Sequence, residues 1–134
     1  MLSNPPYSEG WKGDLERIRD GIEDPRFIVS RAGDPEYALI TRARYGQKLF
    51  LANMLSKMKC DTRLGSCIAK VHCGSSLLTG DAGQGESNIR RRIIENDWHE
   101  AIVALPLNTF YNTGIATYIW VLTNRKPAHR QDKV

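Results

Sequence analysis

No stretch of this sequence reaches the roughly 18 consecutive apolar residues that a membrane-spanning helix needs, so a membrane protein is not expected. The first residues, Met1 to Asn4, carry no basic region and run straight into prolines, unlike a secretory leader; the expected address is the cytoplasm. Cysteine is scarce. The three present, Cys60, Cys67 and Cys73, are an odd number, which argues against a closed disulfide framework. Their spacing lacks the Cys-x-x-Cys knuckle of zinc modules, so no metal is expected, even with His72 beside Cys73. Internal repeats and low-complexity tracts are missing, and charge of either sign is not in large excess. With 19 Lys and Arg against 15 Asp and Glu, the net charge of +4 permits an anionic partner without demanding one.

What is there reads as one globular α/β domain of 134 residues, 41% apolar and 25% charged. Residues 8–44 have loop composition, broken by Gly10, Gly13, Gly21, Pro25, Gly33 and Pro35, with a helical turn expected around Asp14 to Ile22. An ordered loop of that length tends to be a lid or binding loop. From Gly46, "GQKLFLANMLSKM" spaces Leu49, Phe50, Leu51, Met54, Leu55 and Met58 along a helix, with Lys48, Asn53 and Lys57 expected on its polar side and the methionines in the core. "CIAKVHC" predicts a short strand, and "SNIRRRIIEND" a helix with Ile89, Ile93 and Ile94 on its apolar stripe. "EAIVALP" (100–106) reads as a strand buried on both faces, parallel to the one before it through the intervening helix. The short link "LNTFYNTGI", with Asn112 and Gly114 near its tip, is too short for a crossover. The last strand, "ATYIWVLT", is therefore expected to run antiparallel, giving a mixed sheet. Residues 125–134 form a basic tail expected to fray.

Three stretches compete for chemistry. The glycine loop "TGDAGQGE" precedes a helix but lacks the Gly-Lys-Ser/Thr ending of a phosphate loop, and is read as a structural turn. The run Arg90, Arg91, Arg92 points in three directions around a helix and reads as solvated faces, with phosphate contact the minority reading. The third is "NPPY". The prolines lock the backbone, so the Asn4 side-chain oxygen and the Pro5 carbonyl are acceptors held in fixed directions, suited to both hydrogens of an exocyclic amino group. Tyr7 offers a ring on which a planar base can stack, as in enzymes that act on an extruded base. On four residues alone, a rigid turn explains the string equally well.

With the downstream strings added, the pattern sharpens. "SNPPY", "LFLANMLSKMK", "GSSLLTGDAGQGESNIRRRIIENDW" and "EAIVALPLNTFYNTGIATYIWVLTNRKP" closely resemble, in order and spacing, the modification (M) subunit of type I restriction–modification systems. Those subunits are adenine-N6 DNA methyltransferases that use S-adenosylmethionine. The resemblance implies a partial S-adenosylmethionine-dependent methyltransferase (Rossmann-like) fold, with 1–134 a catalytic-half fragment and 8–45 a target-side loop region. It implies catalytic roles for Asn4, Pro5, Pro6 and Tyr7: Asn4 and the Pro5 carbonyl binding the adenine amino group, Tyr7 stacking on the flipped base. Such acceptors position the nitrogen and stabilise the positive charge that develops on it, so no strong base is required.

In the family the glycine motif that holds S-adenosylmethionine lies upstream of the Asn-Pro-Pro motif. The cofactor-binding residues are therefore unknown here, and this chain by itself is expected to bind no cofactor. The implied partners are DNA and the specificity and restriction subunits; an exposed sheet edge would add self-association. Three residues depart from the family pattern: Cys73 in place of Asn within a His-Asn-Gly-Ser string, Arg92 in place of an apolar residue, and Lys70 inside a strand expected to be buried. The alternative readings are an inactive fragment that only binds DNA or partner subunits, and a methyltransferase acting on RNA or on a protein glutamine.

Overall fold

The computed structural model describes residues 1–7, 10–20, 24–111 and 113–134. A four-stranded sheet forms its centre. Strand β1 (Leu2–Ser3) lies parallel to β4 (Cys67–Cys73); β4 pairs antiparallel with β6 (Thr117–Thr123), which pairs antiparallel with β5 (His99–Ala104). The spatial order is therefore β1-β4-β6-β5. The antiparallel last strand stands as the sequence predicts. β4 and β5 run in the same direction, also as expected, but they are not neighbours: β6 inserts between them, because the short link after β5 folds it straight back into the gap.

The helices α2 (Gly46–Ser56) and α4 (Gly85–Glu95), with the short α3 (Ser75–Leu78) between them in the chain, pack with the sheet around a core of Leu39, Leu51, Leu55, Ile68, Ile89 and Leu122. Each fully buried aliphatic side chain contributes about 1.5–3 kcal/mol relative to exposure. On β4 the alternation is strict: Ile68, Lys70 and His72 are fully buried on the helix-covered face, whereas Ala69 and Val71 are half-buried on the other. No helix among the described residues is long and apolar enough to cross a membrane.

Four expectations are corrected. Residues 8–44 are more than loop: they hold α1 (Lys12–Asp20) and a hairpin of β2 (Ile28–Arg31) and β3 (Asp34–Ala38). Its turn puts Ala32 and Gly33 at φ +53° and +93°, the left-handed geometry that matches strand twist, but Ala-Gly lacks the Asn-Gly signature that would have announced it. The expected helix end at Ile22, like Asn112 in the later link, lies outside the described residues. Second, α2 is rotated from the expected register: Lys48, Leu51, Ala52 and Leu55 share the buried face, while Phe50 is half exposed. Met58 is buried as expected. Third, β5 is not buried on both faces. It is the sheet's edge, with Ile102 and Val103 exposed, since β6 covers only one of its sides. Fourth, the basic tail does not fray. Lys126 Nζ donates to Asp97 Oδ1 at 2.6 Å, the backbone of Asp132 donates to Asp97 Oδ2, and Arg130 reaches the Glu100 carbonyl at 3.0 Å.

The glycine-rich loop is structural, as read. Gly80 has φ +98°, and a Cβ on Gly85 would lie 1.8 Å from the Ile40 carbonyl oxygen, so the α4 N-terminus and the 39–41 backbone approach closer than any side chain allows. Gly85→Ala is expected to destabilise the fold by about 2 kcal/mol or more, read from the midpoint of urea unfolding.

Lys70 is fully buried, and its ammonium finds only His72 Nε2 at 3.4 Å, with no carboxylate beside it. Burial pushes its pKa down from the usual lysine value to about 7. The unfolded chain takes up the proton near pH 10.5 and the folded one near 7, so stability falls as pH drops between those values and is lowest below 7. Lys70→Met is therefore expected to stabilise the protein by a few kcal/mol, on the order of the shift times 1.36 kcal/mol per unit, at pH 7, with the gain vanishing above pH 10.5. Urea titrations at pH 7 and above pH 10 check this; an equal gain at both would remove the ionisation argument.

Candidate functional site

The motif predicted from sequence emerges from the end of β1. The pairings Leu2 with Ala69 and Ser3 with Lys70 carry the chain alongside β4, and the Met1 backbone nitrogen donates to the Cys67 carbonyl at 2.6 Å. Proline at 5 and 6 then stops the strand, because neither residue can donate to a ladder. Pro5 is buried and anchors the turn; Asn4 and Pro6 are exposed and Tyr7 is half-buried. The Tyr7 hydroxyl donates to Asn4 Oδ1 at 3.1 Å, which steers the amide and leaves that oxygen a second lone pair. All four residues thus sit in one turn at the C-terminal edge of β1.

Sequence reasoning gave no role to Phe110, which the structure brings against Tyr7. The rings meet edge to face, with centroids 6.4 Å apart. Phe110 comes from the link between β5 and β6, whose ends lie at the same end of the sheet as the exit of β1. Topology alone joins these aromatics across about a hundred residues. Partial burial and the nearby Cys73 raise the Tyr7 pKa, so the phenol stays protonated and remains a donor.

Behind Tyr7 lies a small polar cavity, also unforeseen. It has about 10 Å³ of room, close to one water's worth, and is lined by Tyr7, Tyr45, Gln47, Lys48, Ser75 and Thr79. Its wall is held by Gln47, whose side-chain oxygen accepts from Ser76 Oγ at 2.7 Å and from the Cys73 backbone at 3.4 Å. His72 Nδ1 lies 3.3 Å from Ser76 Oγ; burial, Lys70 and Lys48 push the His72 pKa down to about 2, so the ring is neutral. Cys73 is buried within this network, with its Sγ 3.3 Å from Gln47 Oε1. Among the described residues no cluster of His, Cys, Asp and Glu suits a metal.

The three arginines do not form a solvated face. Arg90 donates to the carbonyls of Ser76 and Thr79, at 3.3 and 2.7 Å, and so buttresses the cavity wall. Arg92 is half-buried over the Trp98 ring, which is how a cation fits where an apolar residue was expected. Arg91 alone is exposed, paired with Glu36 and Glu95.

The N-6 DNA methylase family model matches residues 1–134. The chain belongs to that family. The chain is 42% identical over 134 residues to the type I restriction enzyme MjaIX methylase subunit of Methanocaldococcus jannaschii, covering all of this chain and 22% of that protein. It is 29% identical over 126 residues to the MpnII methylase subunit of Mycoplasma pneumoniae, covering 94% of this chain and 20% of that one. Among solved structures, the type I methyltransferase subunit from Streptococcus thermophilus superposes with a TM-score of 0.66 at 28% identity, covering 93% of this chain and 23% of that one. A modification subunit from Vibrio vulnificus has a TM-score of 0.65 at 21% identity, a likeness of fold, covering 94% of this chain and 22% of that one. The chain thus has part of the S-adenosylmethionine-dependent methyltransferase fold and spans about a fifth of the length of the relatives it matches.

Gln47→Leu is expected to lower stability by about 1–3 kcal/mol, because Ser76 Oγ and the Cys73 backbone lose their buried acceptor. Thermal or urea unfolding of the variant checks this; an unchanged midpoint would mean that the cavity wall is held some other way.

Proposed function

We propose that this chain is the catalytic-side segment of an adenine-N6 DNA methyltransferase of the type I restriction–modification kind, with Asn4, Pro5, Pro6 and Tyr7 as the base-handling motif. The observation that carries the reading is the turn at the end of β1, where Asn4 Oδ1 is steered by Tyr7 and the Tyr7 ring is flanked by Phe110. Two acceptors, Asn4 Oδ1 and the Pro5 carbonyl, take the two hydrogens of the adenine amino group. Bound that way, the nitrogen's lone pair is kept off the ring plane and free to attack. Positive charge developing on the nitrogen is stabilised by the same two oxygens, which need no reorganisation. Tyr7 presents its face to the base and Phe110 its edge.

The family implies S-adenosylmethionine as methyl donor, but the described residues do not fit a cradle for it. The glycine-rich loop that could have served is consumed in packing, with Gly85 against Ile40 and Gly80 against Glu86. No residue of this chain is therefore assigned to the cofactor. Residues 8–45 are proposed as the target-side region. DNA and the specificity and restriction subunits are the proposed partners of the full protein. The sheet edge at β1, where Leu2 is 88% exposed, supports self-association of the isolated chain, and a clean monomer by light scattering at high concentration would count against it.

In a complete methylase subunit carrying this segment, Asn4→Ala is expected to abolish methyl transfer to adenine from radiolabelled S-adenosylmethionine while leaving cofactor binding intact. Retained transfer would sink the assignment. The second reading, that this chain by itself only binds DNA or partner subunits, is supported by the small share of the relatives' length that it spans. Calorimetry separates the two: no S-adenosylmethionine binding is expected for the chain alone, and measurable binding would favour an enzyme active as it stands.

A further inference from the structure

The cavity behind Tyr7 holds two donors with nothing to donate to. Lys48 Nζ and Gln47 Nε2 are both buried without a hydrogen-bond partner, in side chains 2% and 4% exposed, and both residues line the same small space. Unsatisfied buried donors are costly, and two of them around one cavity mark a place where an acceptor belongs. The sign of the surrounding charge says which kind. Lys48 feels Arg90 and Arg42, opposed by Cys73 and by the carboxylate of Glu86, whose Oε1 is bonded to Arg42 and whose Oε2 is buried without a partner. Burial and these cations push the Lys48 pKa down to about 7, a penalty that an incoming anion would relieve. The hydroxyls of Tyr45, Ser75 and Thr79 stand at the same cavity and can donate to the same group. Its room of about 10 Å³ suits a single oxygen atom and excludes a whole base.

We infer that this cavity receives one non-bridging oxygen of the DNA phosphodiester next to the adenine held at Asn4 and Tyr7, with Lys48 as the phosphate contact. The inference rests on the proposed DNA reading and adds a residue to it that neither the motif nor the arginine run supplied. It gives the flipped nucleotide two grips, one on the base and one on its backbone, on opposite sides of the Tyr7 ring. A backbone contact of this kind positions the nucleotide and carries no sequence information.

The test uses this chain and a short duplex with an adenine opposite an abasic site, followed by fluorescence anisotropy over a range of salt concentrations. A second duplex carries neutral methylphosphonates at the linkages flanking that adenine. Lys48→Met is expected to weaken binding about five- to tenfold and to make the slope of log K against log salt about one unit shallower. The methylphosphonate duplex should cost the wild-type chain a similar factor and cost Lys48→Met almost nothing further. Removing an unpaired buried amine should leave the urea midpoint unchanged or raised, so a loss of affinity is not a loss of fold. Two results would overturn the inference while leaving the DNA reading intact: a Lys48→Met slope equal to wild type, or an equal methylphosphonate penalty in both proteins. A wild-type chain that binds neither duplex would overturn both together.

Discussion

Two residue pairs, Leu2 with Ala69 and Ser3 with Lys70, attach the motif-bearing strand to the rest of the molecule, and the candidate site depends on them. β1 is too short to hold itself by a ladder. It is fastened at its start by the Met1 backbone nitrogen on the Cys67 carbonyl and by the Ala69 amide on the Met1 carbonyl, and at its end by the burial of Pro5. Because the pairing is parallel, β1 runs toward the C-terminal end of β4, and Tyr7 comes to line the same cavity as Ser75 and Ser76 of the short helix that follows it. Had β1 paired antiparallel, the same four residues would leave at the far end of the sheet, away from Phe110 and the Lys48 cavity.

The same pairing explains why the neighbouring strand is chemically unusual. Lys70 sits opposite Ser3 in register and points into the core, where an aliphatic side chain would pack without penalty. His72, two residues on, shares that face and stacks on Trp120 with ring centroids 4.5 Å apart. A run of Lys70, His72, Ser76 and Gln47 thus leads from beneath β1 to the wall behind Tyr7 through contacts of 3.4, 3.3 and 2.7 Å. Polar groups buried in a row are costly when any member lacks a partner, and they specify one arrangement when satisfied. Here the end nearest β1 is poorly satisfied and the end nearest Tyr7 well satisfied, apart from the donors turned toward the cavity.

Much of this was legible in the sequence, for identifiable reasons. Strands β4 and β6 and helix α4 stand where the sequence places them, although Ile94, expected on the apolar stripe of α4, is exposed and only Ile89 and Ile93 are buried there; the short 105–116 link leaves no choice but a return strand. The rigid turn at residues 4–7 was legible because proline removes backbone freedom whatever the context. The β2–β3 hairpin was not, since Ala32 adopts a left-handed conformation that nothing local prefers. The edge position of β5 was hidden because "AIVAL" is as apolar as a central strand, and composition cannot say whether a neighbour exists. The rotation of α2 was hidden because a lysine at 48 reads as solvent-facing; only the sheet beneath it, with its own polar positions, makes room for the amine.

That last failure bears on how the site works. Local rules are broken at Lys48, Gln47 and Lys70, within the layer that supports Tyr7; elsewhere Glu86 Oε2 and Trp120 Nε1 are also buried without a partner, while Leu39, Leu51, Ile68, Ile89 and Leu122 are fully buried. A protein selected for stability alone would fill those three positions with apolar side chains of similar volume. Part of that cost lies where the motif turn rests, at the two orphaned donors that line the cavity, Lys48 Nζ and Gln47 Nε2. Strain of this kind is retained when something outside the folded chain relieves it, and the cavity that Lys48 and Gln47 line is also lined by Tyr7, next to the place proposed for the base.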